Sequence, residues 1–129
     1  MTYIERATRW QLERKAKNRK DAMKWVVEQK GELKIMLGEL VLSGFVPERA
    51  PGPAGSYSHR TEFSHPDNYN LAFRLVRDHN PNRKGHKTKW IVHAWRIGWT
   101  SGKHKDPTTA LRRYLDKWWR YEDQEKGVG

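Results

Sequence analysis

The sequence predicts an α+β fold made of N-terminal helices, a long loop, an antiparallel β-hairpin or three-stranded sheet, and a C-terminal amphipathic helix. Three observations predict it: helix formers with apolar residues at helical spacing, two segments that alternate apolar and polar residues across a turn-rich stretch, and a capped final segment without breakers. The chain has 129 residues, so we expect residues 1–129 to form one small basic domain.

Two N-terminal helices are predicted first. Thr2 followed by Glu5 has the spacing of a capping box, and neither glycine nor proline interrupts the chain as far as Lys30. A second helical stretch is expected from Asp21, whose side chain can cap it, to a stop at Gly44 in the left-handed conformation. Glycines within this stretch can divide it. Its apolar stripe comprises Ala22, Val26, Leu33, Leu37, Leu40 and Val41.

Residues 47–70 are predicted to be a long loop, because proline, glycine and polar residues punctuate them, and only residues 61–63 could add a short strand. Residues 71–77 are predicted to form a strand with alternate apolar residues on one face, and residues 89–97 the next strand. The residues between them carry turn signals, so we expect these two strands to form a hairpin.

The final helix has the strongest signals. Asp106 can cap it, Pro107 suits the first helical position, and no breaker follows before Gly127. Residues 122–129 are predicted to be a frayed tail. The apolar stripe of this helix comprises Leu111, Tyr114, Leu115 and Trp118.

Basic residues are concentrated in two segments. Residues 6–20 hold seven basic residues and one acidic residue, a net charge of +6, and residues 83–120 hold eleven and two, a net charge of +9. Residues 21–82 have a net charge of −1, within a chain whose net charge is +11. Because phosphate neutralisation requires locally concentrated positive charge, nucleic acid is the predicted partner.

The predicted contacts lie on the first helix, on two basic loops at residues 82–87 and 101–105, and on the strand and helix beside them. A hairpin tip with Arg and Lys can straddle a phosphate backbone, and the second loop precedes a helix N-terminus that also favours phosphate. The backbone is the main expected contact, with DNA favoured over RNA. The predicted binding residues are Arg6, Arg9, Arg14, Lys17, Arg83, Lys84, Lys87, Lys89, Arg96, Lys103, Lys105, Arg112 and Arg113.

Tryptophan is also unusually frequent, with seven in the chain. Trp95 and Trp99 share one face if the strand continues through Gly98, and two interpretations stay open. They could stack on bases, or pack beneath the final helix against Trp118. The adjacent Trp118 and Trp119 cannot both face the core, so one is expected at an edge, where it could contact a partner or a second subunit.

No catalytic, metal or cofactor site is predicted. Asp78-His79 resembles the start of the histidine-rich nuclease hairpin, in which a His base activates water beside a metal, but the later Asn and His of that hairpin have no counterpart. His59, His65 and Asp67 have irregular loop spacing, so we expect them to be solvated rather than metal-bound. The chain has no cysteine, which excludes disulfides and thiolate metal sites.

The sequence therefore predicts a non-enzymatic, cytoplasmic nucleic-acid-binding protein, whose size and charge suit a small phage or plasmid regulator. The alternative is an inhibitor or adaptor that docks on an acidic host protein. We expect no signal peptide and no membrane partner, because residues 1–6 lack an apolar run and the most apolar stretch, residues 35–46, is too short to span a bilayer. A homodimer is compatible with these features.

Overall fold

The fold is that of a computed structural model, which describes residues 2–51, 58–78, 85 and 87–119. The helices are α1 (Tyr3–Glu28), α2 (Gly31–Leu42) and α3 (Pro107–Tyr114), and α3 continues into a π-helical segment, Leu115–Trp119. The strands are β1 (Val46–Arg49), β2 (Ser58–Ser64), β3 (Phe73–Asp78), β4 (Lys89–Ala94) and β5 (Trp99–Thr100). The predicted α+β class is confirmed.

α1 is one continuous helix. The predicted capping box is present, since the Thr2 hydroxyl accepts from the Glu5 amide and the Glu5 carboxylate accepts from the Thr2 amide. The prediction that Asp21 caps a second helix is wrong, because Asp21 lies within α1, where no breaker interrupts the backbone hydrogen bonds. The break comes at Gln29, whose backbone is extended, and α2 begins at Gly31.

Residues 47–70, predicted to be a long loop, contain most of β1 and all of β2. Pro47 is tolerated because β1 is an edge strand, where a missing amide donor leaves no ladder partner unpaired. Phe63 in β2 is fully buried and pairs with Phe73 of β3. The antiparallel sheet therefore has five strands in the order β1-β2-β3-β4-β5, which extends the predicted hairpin of β3 and β4 on both sides.

Burial differs sharply between the two faces of the sheet. On one face, which we call the core face, Phe63, Phe73, Leu75, Val92 and Ala94 are buried. The other face, which we call the open face, carries the alternate residues of the same strands, and these are half-buried or exposed. α2 and α3 supply the other side of the core, through residues that include Leu37, Leu40, Leu111 and Tyr114.

Tyr114 joins α3 to the sheet and to the turn before it. Its ring lies 4.5 Å from that of Phe73 and 6.1 Å from that of Trp99, measured between centroids, and its hydroxyl donates to the carbonyl of Leu71. The predicted stripe of the final helix is thus confirmed at its centre. Asp106 caps α3 as predicted, because its carboxylate accepts from the Thr109 amide. The predicted tail at residues 122–129 lies outside the described residues.

The second strand of the hairpin ends earlier than predicted. β4 stops at Ala94, a 3-10 turn covers Trp95–Ile97, and Gly98 adopts a left-handed conformation (φ 64°) that returns the chain as β5. Trp95 and Trp99 therefore do not share a face. Trp99 packs against Trp118 beneath α3, with ring centroids 6.4 Å apart, whereas Trp95 stacks on Arg74 of the open face. None of the described helices is long and apolar enough to span a bilayer.

Gly44 and Gly38 provide a matched test of the α2 terminus. Gly44 has φ 99°, and a Cβ atom there would stand 3.0 Å from His65 Nε2, so Gly44→Ala should lose about 1–3 kcal/mol of unfolding free energy. Gly38 lies within α2, and a Cβ atom there would meet nothing within 4 Å beyond its own helix backbone, so Gly38→Ala should gain about 0.5–1 kcal/mol. Urea unfolding measures the change in unfolding free energy of both variants. Equal changes in the two variants would contradict the assigned end of α2.

Candidate nucleic-acid interface

Polar side chains form a continuous row across the open face. The strand pairing places Arg49 opposite Glu62, Glu62 opposite Arg74, Arg74 opposite His93, and His93 opposite Thr100. All five strands contribute one residue to this row, and Arg74 of β3 stands at its middle. Directly opposed side chains in neighbouring strands lie close enough to interact, and within this row Glu62 and Arg74 form an ion pair.

Glu62 holds two arginines of the open face at once. Its Oε1 atom lies 3.3 Å from Arg60 Nε and 3.2 Å from Arg74 Nε. The guanidinium carbon of Arg74 also lies 4.3 Å from the ring centroid of Trp95, a distance at which cation–π attraction is favourable. Arg74 is thereby oriented by a carboxylate on one side and an aromatic ring on another.

Glu48 attaches α1 to the edge of the sheet. Its carboxylate accepts two hydrogen bonds from Arg19 of α1, at 3.0 and 2.7 Å, and one from the Ser64 hydroxyl at 2.6 Å. Partial burial alone would raise the pKa of Glu48, but the hydrogen bonds from Arg19 and Ser64 and the positive charges of Arg19 and Lys15 lower it overall. Glu48 is thus ionised in the folded protein and anchors the middle of α1.

A groove of about 480 Å³ runs between α1 and the turns beside the open face. Lys15 and Arg19 line it on the α1 side, and Tyr69 and Arg96 line it on the other. The Arg96 guanidinium carbon lies 3.2 Å from the ring centroid of Tyr69, so this cation stands over an aromatic face, and none of the described carboxylates is paired with it. The groove therefore has basic groups on both walls.

We call the open face, the adjoining side of α1 and the turn after β4 the basic face. Lys103, which follows β5 in the chain, also belongs to the basic face, because its Nζ atom lies 3.9 Å from Asp78 Oδ2 on the open face of β3. Nine basic side chains and three carboxylates meet on this surface. They are Arg14, Lys15, Arg19, Arg49, Arg60, Arg74, Lys89, Arg96 and Lys103, with Glu48, Glu62 and Asp78.

The structure places four of the predicted binding residues on the basic face: Arg14, Lys89, Arg96 and Lys103. α3 covers the core face, so the exposed Arg112 and Arg113 point away from the open face, and Arg112 bonds to Glu32 of α2. The predicted set is therefore distributed over more than one side of the molecule.

The other predicted residues lie around the basic face or outside the described residues. Arg6, Arg9 and Lys17 are exposed on α1, where Arg9 pairs with Glu13. Lys87 precedes β4 and Lys105 follows the short bridge between His104 and Trp90, and both are exposed. Arg83 and Lys84 belong to the part of the chain that the structure does not describe, so their predicted role stays a prediction.

Five members of the basic face were absent from the predicted set: Lys15, Arg19, Arg49, Arg60 and Arg74. The last three belong to residues 21–82, whose net charge of −1 argued against a basic surface there. Net charge along the chain ignores the direction of side chains on a strand. The alternation of β2 and β3, which points Arg60 and Arg74 away from the core, is the signal that could have found them.

His65 is a structural residue rather than the solvated loop residue predicted. It is buried, its Nδ1 atom accepts from the Asp67 amide at 3.2 Å, and Nε2 therefore carries the ring proton and donates to the Ser43 carbonyl at 3.0 Å. Its ring also contacts that of Phe45. Within the described ranges, no three His, Asp or Glu side chains converge on a point that could hold a metal ion. His79 lies outside these ranges.

Acid is expected to weaken the attachment of α1. Because the folded state lowers the pKa of Glu48, its ionised form stabilises the fold above the ordinary glutamate pKa, and this contribution is lost as pH falls through the lowered value. Unfolding free energy, measured with urea, should decline below about pH 4.5. Glu48→Gln should be less stable at pH 7 and should depend less steeply on pH in that range.

Glu13→Gln is the matched control for this measurement. It removes an α1 carboxylate that pairs with Arg9 in an exposed position, where ion pairs contribute little to stability. Its pH dependence should follow that of the wild type. A Glu48→Gln curve parallel to the wild-type curve would show that Glu48 does not anchor α1 in the folded state.

The basic face can bind anions through positive charge and forked guanidinium donors, which suit phosphate groups. Its carboxylates are all within ion-pair distance of arginine or lysine, so they orient these side chains without cancelling the net positive charge. No protein-family model matches the chain, and neither a curated protein nor a solved structure matches it.

Proposed function

We propose that this chain is a non-enzymatic nucleic-acid-binding protein that binds duplex DNA in preference to RNA, mainly through the phosphate backbone. The observation that carries the proposal is the basic face, where nine basic side chains from α1, four strands and two turns share one side of the molecule with three carboxylates. The small phage or plasmid regulator suggested by size and charge is compatible with this role.

Several described cations of the basic face form no ion pair with a described carboxylate, although Arg49 and Lys89 stand opposite Glu62 and Asp78 in the strand pairing. In the part of the chain that the structure describes, Arg14, Arg49, Lys89 and Arg96 have no carboxylate within ion-pair distance. Like charges held together repel one another, and a polyanion relieves that repulsion. Phosphates that pair with these groups also release condensed counterions, which favours binding at low salt.

The shape of the open face supports DNA over RNA. The major groove of B-form DNA is about 12 Å wide and admits a two-stranded β-ribbon. The corresponding groove of an A-form RNA helix is deep and too narrow for side chains to read. β3 and β4 lie within a five-stranded sheet, so the open face would cover the major groove and side chains of these two strands would reach into it, with basic groups on either side.

The alternative partner is an acidic protein on which this chain would dock as an inhibitor or adaptor. Phosphate binding and protein docking differ in their salt dependence. Binding through about six phosphate contacts gives a slope near −5 when the logarithm of affinity is plotted against the logarithm of salt concentration. An interface with an apolar centre gives a much flatter dependence. A flat dependence with duplex DNA would therefore count against the proposed function.

Removing two cations that form no ion pair should weaken DNA binding, because fewer condensed counterions are then released. We expect Arg49→Gln with Lys89→Gln to bind duplex DNA more weakly at low salt, and to reduce the magnitude of the log–log salt slope by about 1–2. Electrophoretic mobility shifts at several salt concentrations measure both quantities. Single-stranded DNA and duplex RNA serve as competitors and should displace the duplex less effectively.

Arg113→Gln with Lys117→Gln is the matched control. It changes net charge by the same amount, but both residues lie on the α3 side of the molecule, beside Trp99, where the core face is covered. Its affinity and salt slope should stay close to those of the wild type. Equal effects of the two double variants would mean that net charge, and not the basic face, governs binding.

A further inference from the structure

The centre and the edges of the basic face differ in charge. At the α1 edge stand Lys15, Arg19 and Arg49, and at the β5 edge stands Lys103. Neighbouring strands are about 4.8 Å apart, so β1 and β5 each lie about 10 Å from β3. A duplex that lays its major groove on β3 and β4 would bring its two phosphate backbones over these basic edges.

The centre of the open face is poorly suited to phosphate. Val76 of β3 and Ile91 of β4 are directly opposed there, and Glu62 lies in the adjoining row. Apolar groups offer phosphate no hydrogen bond, and the Glu62 carboxylate repels it. Base edges in the major groove present methyl groups and neutral acceptors, which are compatible with this mixture of apolar and polar side chains.

Arg74 is the polar group at that centre with donors to spare. Its Nε atom is buried 3.2 Å from Glu62 Oε1 but makes no hydrogen bond, its guanidinium stacks on Trp95, and 30% of its side chain is exposed. No described residue hydrogen-bonds its two terminal nitrogens. A guanidinium held by ion-pair attraction on its Nε side and by stacking on Trp95 presents these terminal nitrogens as a fork, which matches O6 and N7 of guanine.

We propose that Arg74 reads a guanine in the major groove of duplex DNA and gives the protein a sequence preference. The inference rests on the proposed function, and it separates base readout at the centre of the basic face from phosphate contact at its edges. Arg60 offers a comparison, because it lies within ion-pair distance of the same carboxylate oxygen of Glu62 but is exposed and does not stack on Trp95. We assign Arg60 to phosphate contact.

The test begins with selection of wild-type binding sites from duplexes that contain a randomised central segment. A guanine should be enriched at one fixed position relative to the other conserved bases. In the selected duplex, 7-deazaguanine at that position removes the N7 acceptor and should weaken wild-type binding by about 5-fold or more. This measurement needs no protein variant, so it stands even if substitution of Arg74 disturbs folding.

Two variants complete the test. Arg74→Ala should lose discrimination of about 5- to 150-fold between guanine and other bases, and should bind the guanine and 7-deazaguanine duplexes equally. Arg60→Ala should weaken binding to every duplex and retain the preference for guanine. Urea unfolding checks that both variants are folded.

The possible results separate the inference from the proposed function. Binding without an enriched guanine, unchanged wild-type affinity for the 7-deazaguanine duplex, or a preference that persists in Arg74→Ala overturns the reading by Arg74 and leaves the proposed function standing. Failure of the wild-type protein to bind any duplex overturns both. If the preference is lost in Arg60→Ala and retained in Arg74→Ala, readout belongs to Arg60 and the inference is overturned.

Discussion

The alternation of side chains along the sheet, fixed by burial of one face, is the constraint on which the rest of the structure depends. Phe63, Phe73 and Val92 must face the helices, so the residues that precede and follow them face the opposite way. A register shift of one residue would bury Arg74 and expose these apolar groups, at a cost that no surface contact could offset. The basic face is therefore a consequence of how the core is packed.

The carboxylates on this surface act mainly through orientation. Glu62 lies within ion-pair distance of Arg60 and Arg74, and Glu48 holds Arg19 in a two-point contact. Glu48 also stabilises the fold through its hydrogen bonds, and each of these partly buried carboxylates fixes the direction of a long, flexible side chain. The carboxylates reduce repulsion between neighbouring cations. The surface stays positive because its basic groups outnumber its acidic groups threefold.

Local signals predicted the elements whose determinants are local. Asp106 and Pro107 marked the start of α3, and alternation around Leu75 marked β3, because capping and strand periodicity are properties of short segments. β1 and β2 depend on pairing with residues distant in sequence, so the prolines and glycines near Pro47 concealed them. Only four members of the basic face belonged to the predicted set, for a related reason: summed charge located two basic segments, but the grouping of side chains across strands is set by register.

Under the proposed function, the arrangement would separate two requirements that nucleic-acid binding imposes on one surface. Affinity needs cations that follow phosphates, which Lys15, Arg49 and Lys103 can provide at the edges because they are long and flexible. Selectivity needs a donor held in one geometry. The guanidinium of Arg74 is such a donor, because Glu62 and Trp95 restrict its orientation. An arginine that must also neutralise a mobile phosphate could not be held so firmly, so the inferred readout falls to a residue of β3, a strand that is paired on both sides.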